Sequence, residues 1–264
     1  MAEHRLADGA SLYYETHGTG PALLLVPGLG GVAPFWQRHV PALARHFTVV
    51  LHDHRGCGRS TPSRIAYSVA QMADDLRQLM DGLGIAKAHL VGHSTGGAIG
   101  QVLALDHPDR IDRLVLSATW THADAYFRRL FETRAEALRR LGAAFYGRLG
   151  NLVLYPPGWL ARHADRLEAA QRASPLPATP DEIVLARIEA LLAFDRRADL
   201  PRLRHRTLVM AARDDAVTPA YFSEALAAIL PDARLVLHPT GGHFYNHVVQ
   251  DEFERLTIGF LAGA

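Results

Sequence analysis

Cysteine, lysine and long apolar runs are all scarce in this chain. Cys57 is the only cysteine among 264 residues, so no disulfide can form within the chain. Lys87 is the only lysine, and the formal net charge is +1, which gives no electrostatic reason to expect a nucleic-acid partner. No apolar run is long enough to span a bilayer, so the sequence predicts no membrane partner either.

The amino terminus lacks the pattern of a secretion signal or a membrane anchor. Glu3 places an acid early, and no long apolar stretch follows it. Since no disulfide indicates an oxidising compartment, we expect a cytoplasmic protein. The length suits one large α/β domain, alone or with an insertion, and we expect a monomer or a homodimer.

Strand-like and helical patterns alternate along most of the chain. Apolar runs typical of strands buried on both faces occupy 22–26, 47–52, 88–91, 113–117, 207–211 and 234–238. Residues 11–17 alternate like an edge strand, and helical periodicity marks 69–80, 98–106, 219–230 and 252–261. These patterns predict an α/β fold with a mostly parallel, twisted sheet flanked by helices.

The alternation stops between residues 120 and 205. This stretch is helical and rich in arginine, and its only strand-like run is the short segment 152–154. We predict a core domain made of 1–119 and 206–264, with 120–205 forming a helical lid over the carboxyl edge of the sheet. Ligands bind at that edge in open α/β sheets. In the alternative interpretation these helices only cover the sheet.

The segment Gly92-His93-Ser94-Thr95-Gly96 follows a predicted strand and precedes a predicted helix. Gly-x-Ser-x-Gly in this context is typical of a nucleophile elbow, a turn so tight that the serine hydroxyl projects above the sheet. Side chains two residues to either side would collide with the turn or a neighbouring strand, which explains both glycines. We therefore predict a nucleophilic serine with a structural histidine beside it. The alternative is a glycine-rich turn with a capping serine.

An elbow serine needs a base, and the base needs an acid that orients it. In proteins with this elbow the acid precedes the histidine along the chain. Asp215 follows a core strand, and His243 follows paired glycines after the last strand, so both lie at the same predicted edge as the elbow. We predict that Ser94, His243 and Asp215 form a catalytic triad, with Asp215 preferred because it lies at the loop apex before the helix-starting Pro219. The competing residues are Asp214 for the acid, and His238 and His247 for the base.

The remaining requirement of such chemistry is a pair of donors for a developing negative charge. The glycine-rich loop at 27–31 follows the first buried strand. Glycines let the backbone approach a substrate and turn an N–H toward it. We predict that the backbone N–H groups of Leu29 and Thr95 form this oxyanion hole, Thr95 being the residue after the nucleophile. A simple strand-to-helix turn is the alternative for the loop.

The sequence also contains weaker patterns for a nucleotide and a metal. The spacing of Gly28 and Gly30 fits a loose dinucleotide fingerprint, but Pro34 would interrupt the helix that must begin there. Residues 52–54 place an aspartate between two histidines, yet at a strand end the two histidines face one way and the aspartate the other, so three ligands cannot converge without a turn. We expect no cofactor and no metal, and we predict a structural role for the loop at 53–60.

Together these residues resemble the α/β-hydrolase signature along nearly the whole chain. The resemblance is carried by the loop at 27–30, Asp53-x-Arg55-Gly56-x-Gly58-x-Ser60, the elbow, Asp215-x-x-x-Pro219 and Gly242-His243. Within the superfamily the chain resembles 3-oxoadipate enol-lactonases and, still more, the aminoacrylate hydrolases of pyrimidine degradation. The second resemblance extends into the predicted lid, through 67–72, Arg128-Arg129-x-Phe131-x-x-Arg134, Leu154-Tyr155-Pro156-x-x-Trp159 and Gly241-Gly242-His243-x-x-Asn246. Members of this branch do not all keep the elbow serine, which this chain has.

The resemblance implies a serine hydrolase that forms an acyl-enzyme on a small acid-bearing ester, lactone, amide or enamine. A carbon–carbon bond hydrolase or a cofactor-free perhydrolase would use the same triad. An alternative of another class is a small-molecule receptor with a vestigial hydrolase site. The candidates for the substrate pocket are Trp120, Arg128, Arg129, Trp159 and Phe244, with Arg134 as a further lid cation for an anionic substrate.

Overall fold

An eight-stranded sheet forms the centre of the computed structural model, which describes residues 2–263. Its strands are β1 (Ala2–Arg5), β2 (Ser11–His17), β3 (Ala22–Val26), β4 (Thr48–His52), β5 (Ala88–His93), β6 (Ile111–Ser117), β7 (Thr207–Ala212) and β8 (Ala233–His238). They lie in the order β1-β2-β4-β3-β5-β6-β7-β8. The pairs β1–β2 and β2–β4 are antiparallel and all other pairs are parallel, which confirms the predicted mostly parallel sheet.

The position of β2 differs from the prediction. Residues 11–17 are predicted at the edge of the sheet, but β2 has a neighbour on both sides because β1 pairs with its outer side. The four side chains of β1 are exposed or half-buried, so its sequence, Ala-Glu-His-Arg, has no apolar alternation. A strand with both faces near solvent leaves no hydrophobic period to detect.

Helices cover both faces of the sheet. They are α1 (Val40–Leu43), α2 (Val69–Gly82), α3 (Thr95–Asp106), α4 (Ala125–Leu154), α5 (Pro157–Arg172), α6 (Asp181–Ala193), α7 (Ala220–Ile229), α8 (Tyr245–Val248) and α9 (Gln250–Ala262). Successive residues of a strand point to opposite faces. Leu24 and Val26 therefore pack with α2 and α3, whereas Leu23 and Leu25 pack on the other face with Phe253 of α9. This two-sided burial explains why the central strands are continuous apolar runs.

The stretch between β6 and β7, predicted as a lid, contains the helices α4, α5 and α6. α4 is interrupted at Gly142, whose φ of 77° lies outside the helical region. The strand-like run at 152–154 forms the last turn of α4 instead. A single β-bridge joins His122 to Asp195, near the two ends of this stretch. Within residues 2–263, every helix is too short or too polar to cross a membrane.

Candidate active site

Ser94 lies on the turn between β5 and α3 in a conformation that serine rarely adopts. Its φ is 55° and its ψ is −118°, and among the described residues Ala118 is the only other non-glycine with a positive φ. Such a conformation costs about 1–3 kcal/mol and persists only when the surroundings impose it. The Ser94 N–H donates to Ser117 O at 2.8 Å, and the Ser94 carbonyl accepts from Thr119 Oγ1 at 2.8 Å. The end of β6 therefore holds the turn.

Close backbone neighbours leave no room for side chains at the elbow glycines. A Cβ added to Gly92 would lie 2.2 Å from Gly96 O, and a Cβ added to Gly96 would lie 2.0 Å from Val26 O. Both distances are far below van der Waals contact. Gly28 also approaches the elbow, since a Cβ there would lie 3.1 Å from Ser94 Cβ. The local sterics of the turn therefore require glycine two residues before and two residues after Ser94.

We expect Gly96→Ala to lower the free energy of unfolding by about 1–3 kcal/mol, because the new methyl group overlaps the Val26 carbonyl and the backbone must shift. Gly259→Ala is the matched control, because a Cβ there meets no atom of the described residues within 4 Å and alanine favours the helix by about 1 kcal/mol. Urea denaturation of the two variants measures both effects. Equal or increased stability of Gly96→Ala would contradict this description of the elbow.

A buried hydrogen bond joins His243 to Asp215. His243 Nδ1 lies 2.9 Å from Asp215 Oδ2, and the two side chains are 2% and 0% exposed. Asp215 Oδ1 accepts from the N–H groups of Val217 (2.7 Å) and Thr218 (2.9 Å), and Thr218 Oγ1 donates to Oδ2 (2.9 Å). These bonds fix the carboxylate, and we assign the ring proton to Nδ1 from this geometry. Nε2 is then the nitrogen that can accept a proton.

Ser94 and His243 line the same cavity at the carboxyl edge of the sheet. No hydrogen bond joins the Ser94 hydroxyl to the imidazole within residues 2–263, and one must form before the hydroxyl can transfer its proton. The structure thus brings Ser94, His243 and Asp215 to one place from three different loops.

Asp214, the competing acid, has different partners. Its Oδ1 accepts from the Gly242 N–H at 2.9 Å, and its Oδ2 accepts from Thr240 Oγ1. Both partners belong to the loop that precedes His243. Asp214 therefore ties the acid loop to the histidine loop, whereas Asp215 contacts the imidazole itself.

His93, predicted to be structural, is completely buried. The centroid of its ring lies 4.9 Å from that of His243, and its Nδ1 is 3.0 Å from Ser117 Oγ. Ser117 Oγ is in turn 2.7 Å from the Tyr245 hydroxyl. Burial lowers the pKa of His93 well below its usual value, so this ring stays neutral and supports the packing around the other imidazole.

Two backbone donors beside the elbow have no acceptor. Neither the Leu29 N–H nor the Thr95 N–H forms a hydrogen bond within the part of the chain that the structure describes. Thr95 is the first residue of α3, where N–H groups have no partner inside the helix. Leu29 lines the cavity that also contains Ser94. Both donors are therefore available to a negatively charged oxygen.

The histidines at the end of β4 support the neighbouring glycine-rich loop. His54 Nε2 lies 3.0 Å from Pro27 O, and His54 Nδ1 lies 3.3 Å from His52 Nε2. A carbonyl only accepts, so Nε2 of His54 carries the proton. Burial lowers the pKa of His52 to about 4 and holds that of His54 well below its usual value, so both rings stay neutral. The Asp53 carboxylate pairs instead with Arg59 at 2.8 Å, and the three side chains do not converge.

The cavity beside Ser94 has a volume of about 580 Å³. Most of its side-chain lining is apolar and comprises Pro27, Leu29, Val32, Phe35, Phe131, Leu154, Val217 and Phe244. Tyr155, Arg134 and His247 supply polar groups in addition to those of the elbow and His243. Among the described residues no aspartate or glutamate lines it. The walls therefore suit a small, largely apolar ligand with one polar end.

Only one of the five predicted pocket residues, Phe244, lines this cavity. Trp120 is fully buried in the core under the helices, and Trp159 stacks on the Tyr155 ring at 4.4 Å between centroids without reaching the cavity. Arg128 and Arg129 are exposed on the outer face of α4. The four other residues therefore do not line this cavity, contrary to the prediction.

Arg134 is the predicted lid cation that does reach the cavity. The buried residues of α4 include Phe127, Phe131, Arg134 and Leu138, which recur at helical spacing and form one face. This periodicity could have separated Arg134 from its two exposed neighbours in the sequence. The cavity residues Phe35, Val217 and His247 have no comparable signal, because loops and short helices far apart in the chain bring them together.

The comparisons with known proteins agree with this architecture. A family profile described as alpha/beta hydrolase fold matches residues 21–248. The chain therefore belongs to the α/β-hydrolase family and is an enzyme of that class, as the sequence predicts.

Individual relatives are similar to the chain over nearly its whole length. It is 42% identical to a Caulobacter vibrioides protein that bears the provisional name carbamate hydrolase RutD, over 96% of each chain. Its structure is similar to that of a hydrolase from Pseudomonas aeruginosa PA01, with 34% identity, a TM-score of 0.90, and 100% and 98% of the two chains covered. It is also similar to the enol-lactonase from Burkholderia xenovorans LB400, with 27% identity, a TM-score of 0.91, and 99% and 100% covered.

Proposed function

We propose that this enzyme is a serine hydrolase in which Ser94, His243 and Asp215 form the catalytic triad. The observation that carries the proposal is the buried hydrogen bond between His243 and Asp215, next to a strained elbow serine that lines the same cavity. The chain order of the three residues, and the placement of each after a strand of one sheet edge, support the same assignment.

The proposed reaction has two stages. His243 Nε2 takes the hydroxyl proton while Ser94 Oγ attacks the substrate carbonyl, and Asp215 stabilises the imidazolium. The N–H groups of Leu29 and Thr95 donate to the resulting oxyanion, and each such donor typically contributes about 10²–10³ in rate. The leaving group receives the proton from His243, which leaves an acyl-enzyme on the serine. Water, activated by the same imidazole, then hydrolyses this ester.

The proposed substrate is a small acid-bearing ester, lactone, amide or enamine. The names of the relatives support both bond types, since a carbamate hydrolase cleaves a C–N or C–O bond and an enol-lactonase cleaves a cyclic ester. The cavity volume of about 580 Å³ lies in the usual range for small-molecule sites. The proposed steps use only groups of the chain and water. Identification of the products would separate this activity from carbon–carbon cleavage and perhydrolysis.

A serine-directed fluorophosphonate tests the nucleophile directly. Cleavage by trypsin after Lys87 and Arg110 releases residues 88–110, in which Ser94 is the only serine. We expect the phosphonate mass on this peptide, at Ser94, in the native enzyme and not in Ser94→Ala. Label at any other residue of the native enzyme, or none at all, would overturn the assignment. Tight binding of a small molecule without turnover would instead favour the receptor alternative.

A further inference from the structure

Arg134 places an unpaired positive charge in the wall of the candidate active site. The residue is 7% exposed and lines the same cavity as Ser94 and His243. Its Nη2 donates to the Tyr146 hydroxyl at 3.0 Å, while its Nε is buried and has no hydrogen-bond partner among the residues that the structure describes. Within residues 2–263 it forms no ion pair with a carboxylate. The charge is therefore enclosed by the protein but not balanced by it.

Burying such a charge raises the free energy of the folded protein unless another group compensates the charge. A guanidinium cannot lose its proton to escape burial, and one neutral hydrogen bond replaces only part of its hydration. The guanidinium carbon lies 5.1 Å from the centroid of the Phe131 ring and 4.8 Å from that of Tyr146. Contacts with aromatic faces attract the cation, but they compensate less than a hydrogen-bonded anion would. The surroundings thus orient the Arg134 guanidinium but provide no anion that compensates its positive charge among the described residues.

The rest of the cavity does not supply the missing negative charge. Among the described residues that line it there is no aspartate, no glutamate and no second arginine or lysine. His247 also lines it, but burial lowers the pKa of His247 to about 3, and its Nε2 is 2.9 Å from Phe35 O. That imidazole is therefore neutral. The counter-charge must come from a ligand that enters the cavity.

We propose that Arg134 binds a carboxylate of the substrate and holds it at a set distance from the Ser94 hydroxyl. The planar guanidinium matches the two oxygens of a carboxylate. One positive charge matches a monoanion, whereas a phosphate dianion would leave excess charge against apolar walls. The inference rests on the proposed function and makes it narrower: the substrate is a small monoanionic acid whose scissile bond lies away from the carboxylate.

Two esters of equal length isolate the role of the charge. Monomethyl glutarate carries a carboxylate where methyl pentanoate carries a terminal methyl group. We expect Arg134→Gln to reduce kcat/KM for monomethyl glutarate about 100-fold, the usual scale for truncating one partner of a buried charge pair. For methyl pentanoate it should change less than about threefold, because no charge is lost with that ester. Arg128→Gln, on the exposed face of the same helix, should leave both esters unchanged.

Ligand binding provides a measurement that does not depend on turnover. In the Ser94→Ala background, the monocarboxylates butanoate, pentanoate and hexanoate form a series of monoanions in which the length of the apolar part varies. At least one of them should raise the melting temperature, and adding Arg134→Gln should abolish that rise. Equal loss with both esters, or a melting-temperature rise that survives Arg134→Gln, would overturn the inference. So would inorganic phosphate that stabilises as strongly as the best monocarboxylate.

A third variant separates recognition from structural support. Arg134→Met keeps an unbranched side chain of similar length and removes the unbalanced charge. Without ligand its melting temperature should equal or exceed that of the wild type, while activity on monomethyl glutarate falls as in Arg134→Gln. A marked loss of stability would show that the guanidinium holds the fold, which contradicts the inference. Fluorophosphonate labelling that stays at Ser94 in these variants would leave the proposed function intact even if the inference failed.

Discussion

Ser94→Ala should reduce kcat for ester hydrolysis about 10⁶-fold, the scale at which removal of a triad serine eliminates nucleophilic catalysis. The variant keeps the apolar cavity and both backbone donors. The only catalysis left is the help that these groups give to direct attack by water. Alanine also keeps the turn, because its Cβ occupies the same place as that of serine and φ at this position stays near 55°. The loss should therefore appear in kcat and leave the melting temperature nearly unchanged.

Hydrolysis of 4-nitrophenyl acetate measures this loss, and a pre-steady-state burst in the wild type would report the acyl-enzyme. Ser223→Ala is a suitable control, because Ser223 is buried in α7 and lies outside the cavity, and its hydroxyl has no hydrogen-bond partner among the described residues. That variant should retain wild-type activity. If Ser94→Ala kept more than about one thousandth of the wild-type kcat, hydrolysis would not depend on this serine as a nucleophile.

Asp215→Asn should lower kcat about 10⁴-fold while preserving the shape of the site. The backbone N–H groups of Val217 and Thr218 can still donate to the amide oxygen that replaces Oδ1. The amide nitrogen then faces His243 Nδ1 and donates to it. This forces the ring proton onto Nε2, the nitrogen that must accept the proton of the serine hydroxyl.

The same substitution at the neighbouring aspartate is the matched comparison, because that residue has a different role. Asp214 contacts Thr240 and Gly242 but not the imidazole, so Asp214→Asn should reduce kcat less than about tenfold. Steady-state rates of the two variants, measured at equal concentrations of folded protein, decide between them. A larger loss in Asp214→Asn than in Asp215→Asn would transfer the role of the acid to the other residue.

The features that the sequence predicted well are those encoded by neighbouring residues. The runs at 22–26 and 207–211 are continuous and apolar because their strands are buried on both faces, so they indicate a covered parallel sheet. Gly92 and Gly96 follow from the sterics of one tight turn. β1 was not predicted, because its side chains are exposed or half-buried and show no alternation of apolar and polar residues.

The predictions that needed correction depended on which direction a side chain takes in the folded protein. Arg128, Arg129 and Arg134 have the same chemistry and lie within two turns of one helix. The helical period separates their faces, but only the packing of α4 over the sheet decides which face meets the cavity. Trp120 similarly belongs to the core because the helices close over it.

By itself, the sequence determined the class of fold, the order of the three candidate catalytic residues and the place of the elbow, because short-range sterics and periodicity specify each of them. The tertiary structure alone decided that Asp215 rather than Asp214 contacts the imidazole, and that Arg134 enters the cavity without a counter-charge. Such outcomes depend on contacts between residues far apart in the chain, and those contacts form only when the whole core packs.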